Sequence, residues 1–193
     1  MQIFWVNIDN IKYNTLLEKI KKLNEQNIIF TPNPEILLKA KSDENFKKTL
    51  NKANYLTADW IWLYIAFQIN DNNYWKIINT ALIPYYFFNL FFRRKFLYKK
   101  YSKRICWSDL TKDLTIWAEK NNVKITIIDL YNPLDKNKVE SQKVFRDKLQ
   151  NKFKNLSFDY FIYKDSQKEQ IIEKIKKSNS KIVFSTLWMK KQE

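Results

Sequence analysis

Between Thr31 and Trp62 the chain reads TPNPEILLKAKSDENFKKTLNKANYLTADWIW, and few folds accommodate that order of signals. A short apolar strand over 28–30 leads into it. Asn33 is a natural helix N-cap and Pro34 a natural first helical residue, because proline there lacks only an N–H that has no helical partner anyway. Such a helix start aims unpaired N–H groups and a partial positive charge back toward Thr31, which suits an anionic ligand. Ser42 is expected to cap a second helical segment over 43–52, with acidic residues in its first turn and lysines later. A strand over 54–57 then delivers Asp59 at its C-terminal end, where open α/β sheets place their chemistry.

The same rhythm continues along the chain. Residues 2–8 alternate and are β-rich, which predicts a first strand. Leu16, Leu17, Ile20 and Leu23 lie at helical spacing within 14–24. Helices are expected over 63–69, over 110–121 with Ser108 as cap, over 138–152 and over 165–177. Residues 123–129 (VKITIID) are β-branched and nearly continuous, as a buried parallel strand requires, and further strands are expected over 156–163 and 181–187. Strands alternating with helices predict βαβ units. The expected architecture is a single α/β domain over 1–193, a Rossmann-like, mostly parallel sheet with flanking helices and an aromatic and basic insertion at about 70–101.

The formal net charge of +15 implies an anionic partner: nucleic acid, anionic lipid and nucleotide-sugar all fit. There is no histidine, so histidine catalysis and histidine metal sites are excluded. No Asp-x-Asp pair occurs, so metal-diphosphate clamping has no obvious motif and no metal or other cofactor is expected. The one cysteine, Cys106, fits a reducing compartment and lacks the histidine partner of a nucleophile. The N-terminus has no basic region and its apolar run is broken by Asn7 and Asp9, unlike a signal peptide. A cytoplasmic location follows as the expectation.

Within the insertion, residues 77–92 (IINTALIPYYFFNLFF) are apolar and aromatic, and RRKFLYKKYSKR follows at once. The stretch is too short and too interrupted to span a bilayer comfortably. Aromatic bulk beside clustered Lys and Arg suits the headgroup interface, so residues about 77–104 are expected to touch the cytoplasmic membrane surface. The alternative is a hydrophobic helical hairpin packed on its own domain.

The TPNPE…LLKA…SD…F…L…A…D run resembles the signature of the WecG/TagA/CpsF glycosyltransferase family. The opening IFWVNID, the block KRICWSDL (103–110) and the block FSTLWMKKQE (184–193) resemble that family's other motifs, in the same order. The resemblance implies a UDP-sugar donor carrying an N-acetylhexosamine of N-acetylmannosamine or N-acetylmannosaminuronic acid type. It implies a polyprenyl-diphosphate-linked acceptor, and a role in teichoic-acid, capsule or exopolysaccharide synthesis. It makes Asp59 the catalytic base, a role that partial burial would favour by raising its pKa. Thr31 and Asn33 become substrate-positioning residues, and Arg104 a guanidinium holding the departing diphosphate. Ser108 and Asp109 belong to the same block as Arg104, and Gln192 matches an amide suited to sugar hydroxyls or phosphate. Taken alone, Asp59 reads as a turn or capping residue, the usual role of a lone loop carboxylate, and Arg104 as one more cation of the run 93–104; the family pattern is what reverses the reading of Asp59. Lys190, Asp129 and Leu130 depart from the family pattern. Relatives also continue past the last block with helical sequence that this sequence does not contain, so a C-terminally shortened enzyme, a homo-oligomer, or an inactive remnant are all compatible.

A chain of this length would ordinarily hold about 13 glycines, and this one has none. Against the family pattern, Trp5, Trp60, Trp62, Trp107 and Trp188 fall where relatives carry glycine. An indole suits a phosphate-approaching loop poorly, since glycine is used there for its lack of a side chain. Either UGA, read here as tryptophan, means glycine in the source organism, or a lineage of extreme base composition lost its glycines and repacked. Outside this family reading, the charge and interleaved aromatics also suit a basic nucleic-acid-binding module, although no groove motif accompanies them.

Overall fold

The strand before the TPNPE segment and the strand after it lie side by side, which brings Thr31 and Asp59 to one sheet edge. The computed structural model describes residues 2–24, 26–59, 63–72, 78, 81–101, 103–130 and 138–185. It divides into two compact units, 1–110 and 111–193.

In the first unit, strands β1 (Gln2–Ile3) and β2 (Val6–Asn7) form a small antiparallel hairpin, where one continuous strand over 2–8 was expected. The break is made by Phe4 and Trp5, both in the left-handed region at φ 50° and 62°. Two consecutive positive φ values are the pattern of a two-residue type I′ hairpin turn, whose second position ordinarily favours glycine. Helix α1 (Tyr13–Lys21) buries Leu16 and Ile20 and places Lys19 and Lys21 in its last turn, where the helix dipole favours cations. Its end is turned by Leu23 at positive φ, another position usually left to glycine.

Strands β3 (Ile29–Phe30) and β4 (Tyr55–Leu56) pair in parallel, joined by helices α2 (Pro34–Ser42) and α3 (Glu44–Asn51). Asn33 caps α2 as its residue type predicts, its side chain accepting from the Ile36 N–H at 2.9 Å. The cap of α3 is Asp43, not Ser42: Asp43 Oδ1 accepts from the Phe46 N–H at 3.0 Å. Ser42 ends α2 instead, donating its hydroxyl to the Lys39 carbonyl. Asp43 wins because its extended backbone and carboxylate serve the next helix's free N–H groups directly. The parallel pairing continues through an Asp9–Thr57 bridge.

Helices α4 (Leu63–Asn72), α5 (Ile83–Phe92) and α6 (Arg94–Tyr101) follow. Leu63, Tyr64 and Phe67 of α4 and Tyr86 and Leu90 of α5 are core residues. Between these helices the Asn89 amide donates to Gln68 Oε1 at 3.1 Å, and Gln68 donates to the Tyr64 carbonyl. This buried bond favours one rotation of α5 about its own axis, since other angles leave the Asn89 N–H and Gln68 Oε1 without each other.

Helix α7 (Trp107–Lys120) carries the chain into the second unit. It begins before Ser108, which therefore lies inside the first turn rather than capping it. The second unit is a three-stranded parallel sheet of order β6–β5–β7: β5 (Ile125–Leu130), β6 (Phe158–Tyr163) and β7 (Ile182–Ser185). The central strand buries Ile125, Thr126, Ile127 and Ile128 in succession, the pattern of a strand covered on both faces. Helix α8 (Lys138–Lys152) joins β5 to β6; a 3₁₀ turn (Asp165–Gln167) and α9 (Lys168–Lys177) lead to β7. Asn122 and Asn179 turn the chain after α7 and α9 at positive φ, where asparagine is the usual substitute for glycine. Helices alternating with parallel strands bear out the expected Rossmann-like α/β class.

Candidate active site

The candidate site lies wholly in the first unit, at the C-terminal edge of β3 and β4. The Thr57 N–H donates to the Phe30 carbonyl at 2.9 Å, fixing the strand ends from which Thr31 and Asp59 continue. The Ile105 N–H donates to the Ala58 carbonyl at 3.0 Å, drawing the segment after α6 alongside the same edge.

That one backbone bond gives Asp59 its surroundings. Asp59 is half-buried, and its carboxylate accepts the Cys106 thiol and the Trp107 N–H at the start of α7. The Arg104 guanidinium favours its charged form, and Asp109 opposes it. Loss of water outweighs these bonds, so the Asp59 carboxyl sits above its ordinary value. Burial likewise pushes the Cys106 thiol up, with Asp59 and Asp109 adding to the effect and Arg104 working against it. A half-buried carboxyl raised by desolvation is a stronger proton acceptor than a free one, and the exposed guanidinium beside it suits an anion.

Arg104, Ser108 and Asp109 are exposed. Arg104 and Asp109 enter the field of Asp59, whereas Ser108 takes its place as a residue of the first α7 turn. Thr31 and Asn33 stand at the start of α2 on the sheet edge shared with Asp59. The Asn33 side-chain oxygen is engaged in capping α2. Gln192, Trp60, Trp62 and Trp188 lie outside the described residues. Among the described residues no group of three or more His, Cys, Asp or Glu side chains could hold a metal ion.

A shallow pocket at the end of β4 is lined by Asp9, Thr57, Ala58, Tyr64, Tyr101 and Lys103 together with Ile11 and Ile105; Thr31, Asn33, Asp59 and Arg104 are not among its lining residues. Its polar residues were not anticipated. The Thr57 hydroxyl is buried and has no hydrogen-bond partner among the described residues, while Asp9 Oδ2 accepts from the Leu56 N–H at 2.7 Å. Tyr64, at the first turn of α4, packs edge-on against Tyr98 and near Tyr101. The readable signals were the ID pair of the opening motif and the TAD tripeptide; nothing in the local pattern singles out Lys103 from its basic neighbours.

Residues 1–87 match the model of the Glycosyl transferase WecG/TagA/CpsF family. The likeness to that family is therefore to the N-terminal part of the chain. The family match thus contains the TPNPE helix start, Asp59 and the pocket residues Asp9, Thr57 and Tyr64. It ends inside α5, before Arg104 and the two later motif blocks. No curated protein matches the chain.

Proposed function

We propose that the chain is an inverting glycosyltransferase of cell-surface polysaccharide synthesis, with Asp59 as its general base. The observation that carries this reading is the desolvated Asp59 carboxyl beside Arg104, held at a sheet edge within the segment that matches the WecG/TagA/CpsF family. The acceptor hydroxyl passes its proton to Asp59 as its oxygen bonds the anomeric carbon. The bond from that carbon to the diphosphate oxygen breaks, and UDP leaves with the electron pair. Arg104 balances the charge that accumulates on the diphosphate, a task a guanidinium performs through paired N–H donors.

The donor proposed is a UDP-linked N-acetylhexosamine of N-acetylmannosamine or N-acetylmannosaminuronic acid type, by likeness to the family. The acceptor is a polyprenyl-diphosphate-linked sugar, which sets the reaction at the cytoplasmic membrane face. Thr31, Asn33 and Gln192 are proposed to position substrate. Because the sequence holds no Asp-x-Asp pair, the reaction is proposed to run without a metal, and chelation by EDTA should leave turnover unchanged.

The test is UDP release from UDP-N-acetylmannosamine with a lipid-diphosphate acceptor. The parent protein should turn over and be stabilised thermally by UDP. Absence of both removes the reading.

A further inference from the structure

Helix α5 has one face too many for a water-soluble helix. Tyr86, Asn89 and Leu90 are buried on one side. The opposite side carries Tyr85, Phe87, Phe88, Phe91 and Phe92, all exposed, with Phe92 at 76%. Where an amphipathic helix ordinarily turns charge to solvent, α5 presents a row of aromatic rings. The rings are ordered among themselves: Phe87 stacks on Phe91, and Phe88 on Phe92 with centroids 4.9 Å apart. The Asn89–Gln68 bond holds α5 at this rotation, so the aromatic side cannot roll inward without breaking a buried amide pair.

Charge lies at the end of that row. Arg93, Arg94, Lys95, Lys99, Lys100, Lys103 and Arg104 follow within twelve residues, and no acidic residue occurs from Asn72 to Ser108. All seven cations are exposed. Arg94 stands over the Phe91 ring and also bonds the Leu90 carbonyl, so the basic and aromatic parts form one continuous surface. Among the described residues no helix is long and apolar enough to cross a membrane, and ten residues of helix span only about 15 Å against a hydrocarbon core of about 30 Å.

We infer that α5 and α6 form a docking face for an anionic lipid bilayer, α5 lying in the headgroup–acyl boundary with its phenylalanines inward and the α6 cations on lipid phosphates. Charge complementarity selects this occupant. A second copy of the chain would bring seven cations against seven cations, whereas a bilayer of anionic lipid supplies both an apolar interior and negative headgroups. Helices α5 and α6 themselves hold none of the residues proposed to act on substrate, since Lys103 and Arg104 lie beyond Tyr101. Docking there would nonetheless bring the first unit to where a lipid-linked acceptor resides.

The experiment is flotation of the full chain with vesicles of phosphatidylcholine alone and of phosphatidylcholine with phosphatidylglycerol, at low and high salt. Binding to the anionic vesicles, reduced by salt, is expected. Neutralising Arg93, Arg94 and Lys95 to Gln should weaken it by about fivefold per cation. Phe88→Glu with Phe92→Glu should reduce it at least tenfold while circular dichroism and melting stay as in the parent, because both positions are exposed. Should that pair fail to fold, Phe88→Ser and Phe92→Ser singly serve the same purpose. No binding to anionic vesicles, or binding that survives both sets of changes, overturns the inference. Self-association abolished by the phenylalanine changes without vesicle binding assigns the face to a second copy and also overturns it. UDP-induced stabilisation, measured on the same variants, should be unchanged, which separates failure of this inference from failure of the transferase reading.

Discussion

The Cys106 thiol donates a hydrogen bond to the Asp59 carboxylate, although the two residues lie on opposite sides of a long aromatic and basic insertion. The contact exists because the Ile105 amide is pinned to the Ala58 carbonyl. The same bond brings Arg104 and the start of α7 to the carboxylate. Substitutions around this junction separate its proposed catalytic roles from its architectural ones.

Asp59→Asn should lower turnover by about two orders of magnitude or more, since a general base typically contributes 10²–10⁴ in rate. The amide can still accept from Cys106 and Trp107, so the fold should be kept. Steady-state kinetics beside a thermal melt checks both parts; undiminished turnover removes the base assignment.

The pH dependence follows from the direction of the Asp59 shift. Its folded value lies above the ordinary 3.8, so the native state holds the proton more tightly than the unfolded chain. The acid limb of the turnover profile should therefore lie above pH 3.8. The Asp59 contribution to stability is fullest below that pH and is lost as pH rises through the folded value. Asp59→Asn should melt at or above the parent at neutral pH, with the difference shrinking toward pH 4. A difference of the opposite sign contradicts the desolvated carboxyl.

Cys106→Ala removes a donor that favours the Asp59 carboxylate, so the acid limb should move to higher pH. In the parent, a thiol raised by burial and by neighbouring carboxylates should react slowly with iodoacetamide at neutral pH. Asp59→Asn should speed that alkylation by removing one of those charges. Rates read by intact mass across a pH series distinguish this from a simple change in exposure, since a lower thiol pKa moves the midpoint of the profile whereas exposure scales the rate at every pH.

Thr57→Val should cost the fold little and can add up to about 1 kcal/mol, because the hydroxyl it replaces is buried without a partner among the described residues. If substrate takes up that hydroxyl, KM should rise while the melt does not fall. An unchanged KM places the hydroxyl outside the substrate site.

Trp5→Gly should raise stability. A non-glycine residue in the left-handed region costs about 1–2 kcal/mol, and Trp5 sits there at φ 62° with 65% of its surface exposed. The loss of Lys47 over the indole, at 5.4 Å, offsets about 0.5–1 kcal/mol of that gain. The net effect should be a rise in Tm of a few degrees at most. Peptide mass spectrometry of the native protein reads residue 5 directly: glycine there supports UGA recoding, and tryptophan ends it.

Much of this architecture was legible where one residue type dictates local geometry. Asn33 and Pro34 set the start of α2, and the run ITIID marked the central strand because a doubly buried strand has no polar alternation to hide. The hairpin at Phe4–Trp5 was not legible, since no asparagine or glycine announces the turn. Ser42 and Asp43 are both capable caps, and only the backbone angle at Asp43 decides between them. For the site, Asp59 stood out through its motif, but its partner Cys106 did not. That pairing depends on a chain crossing between Ile105 and Ala58, which side-chain pattern does not encode. The orphaned Thr57 hydroxyl is likewise a product of packing.

Helix α6 has eight residues, Arg94–Tyr101, about 12 Å of rise. One end adjoins the phenylalanine ridge of α5. Past the other, Lys103 and Ile105 border the pocket, and the Asn10 amide fastens to the Lys100 carbonyl at 3.1 Å. On the proposed readings it is a strut of set length between a greasy foot and a reactive carboxylate. Lengthening it by one turn would change the altitude at which the chemistry happens, without altering a single group that performs it.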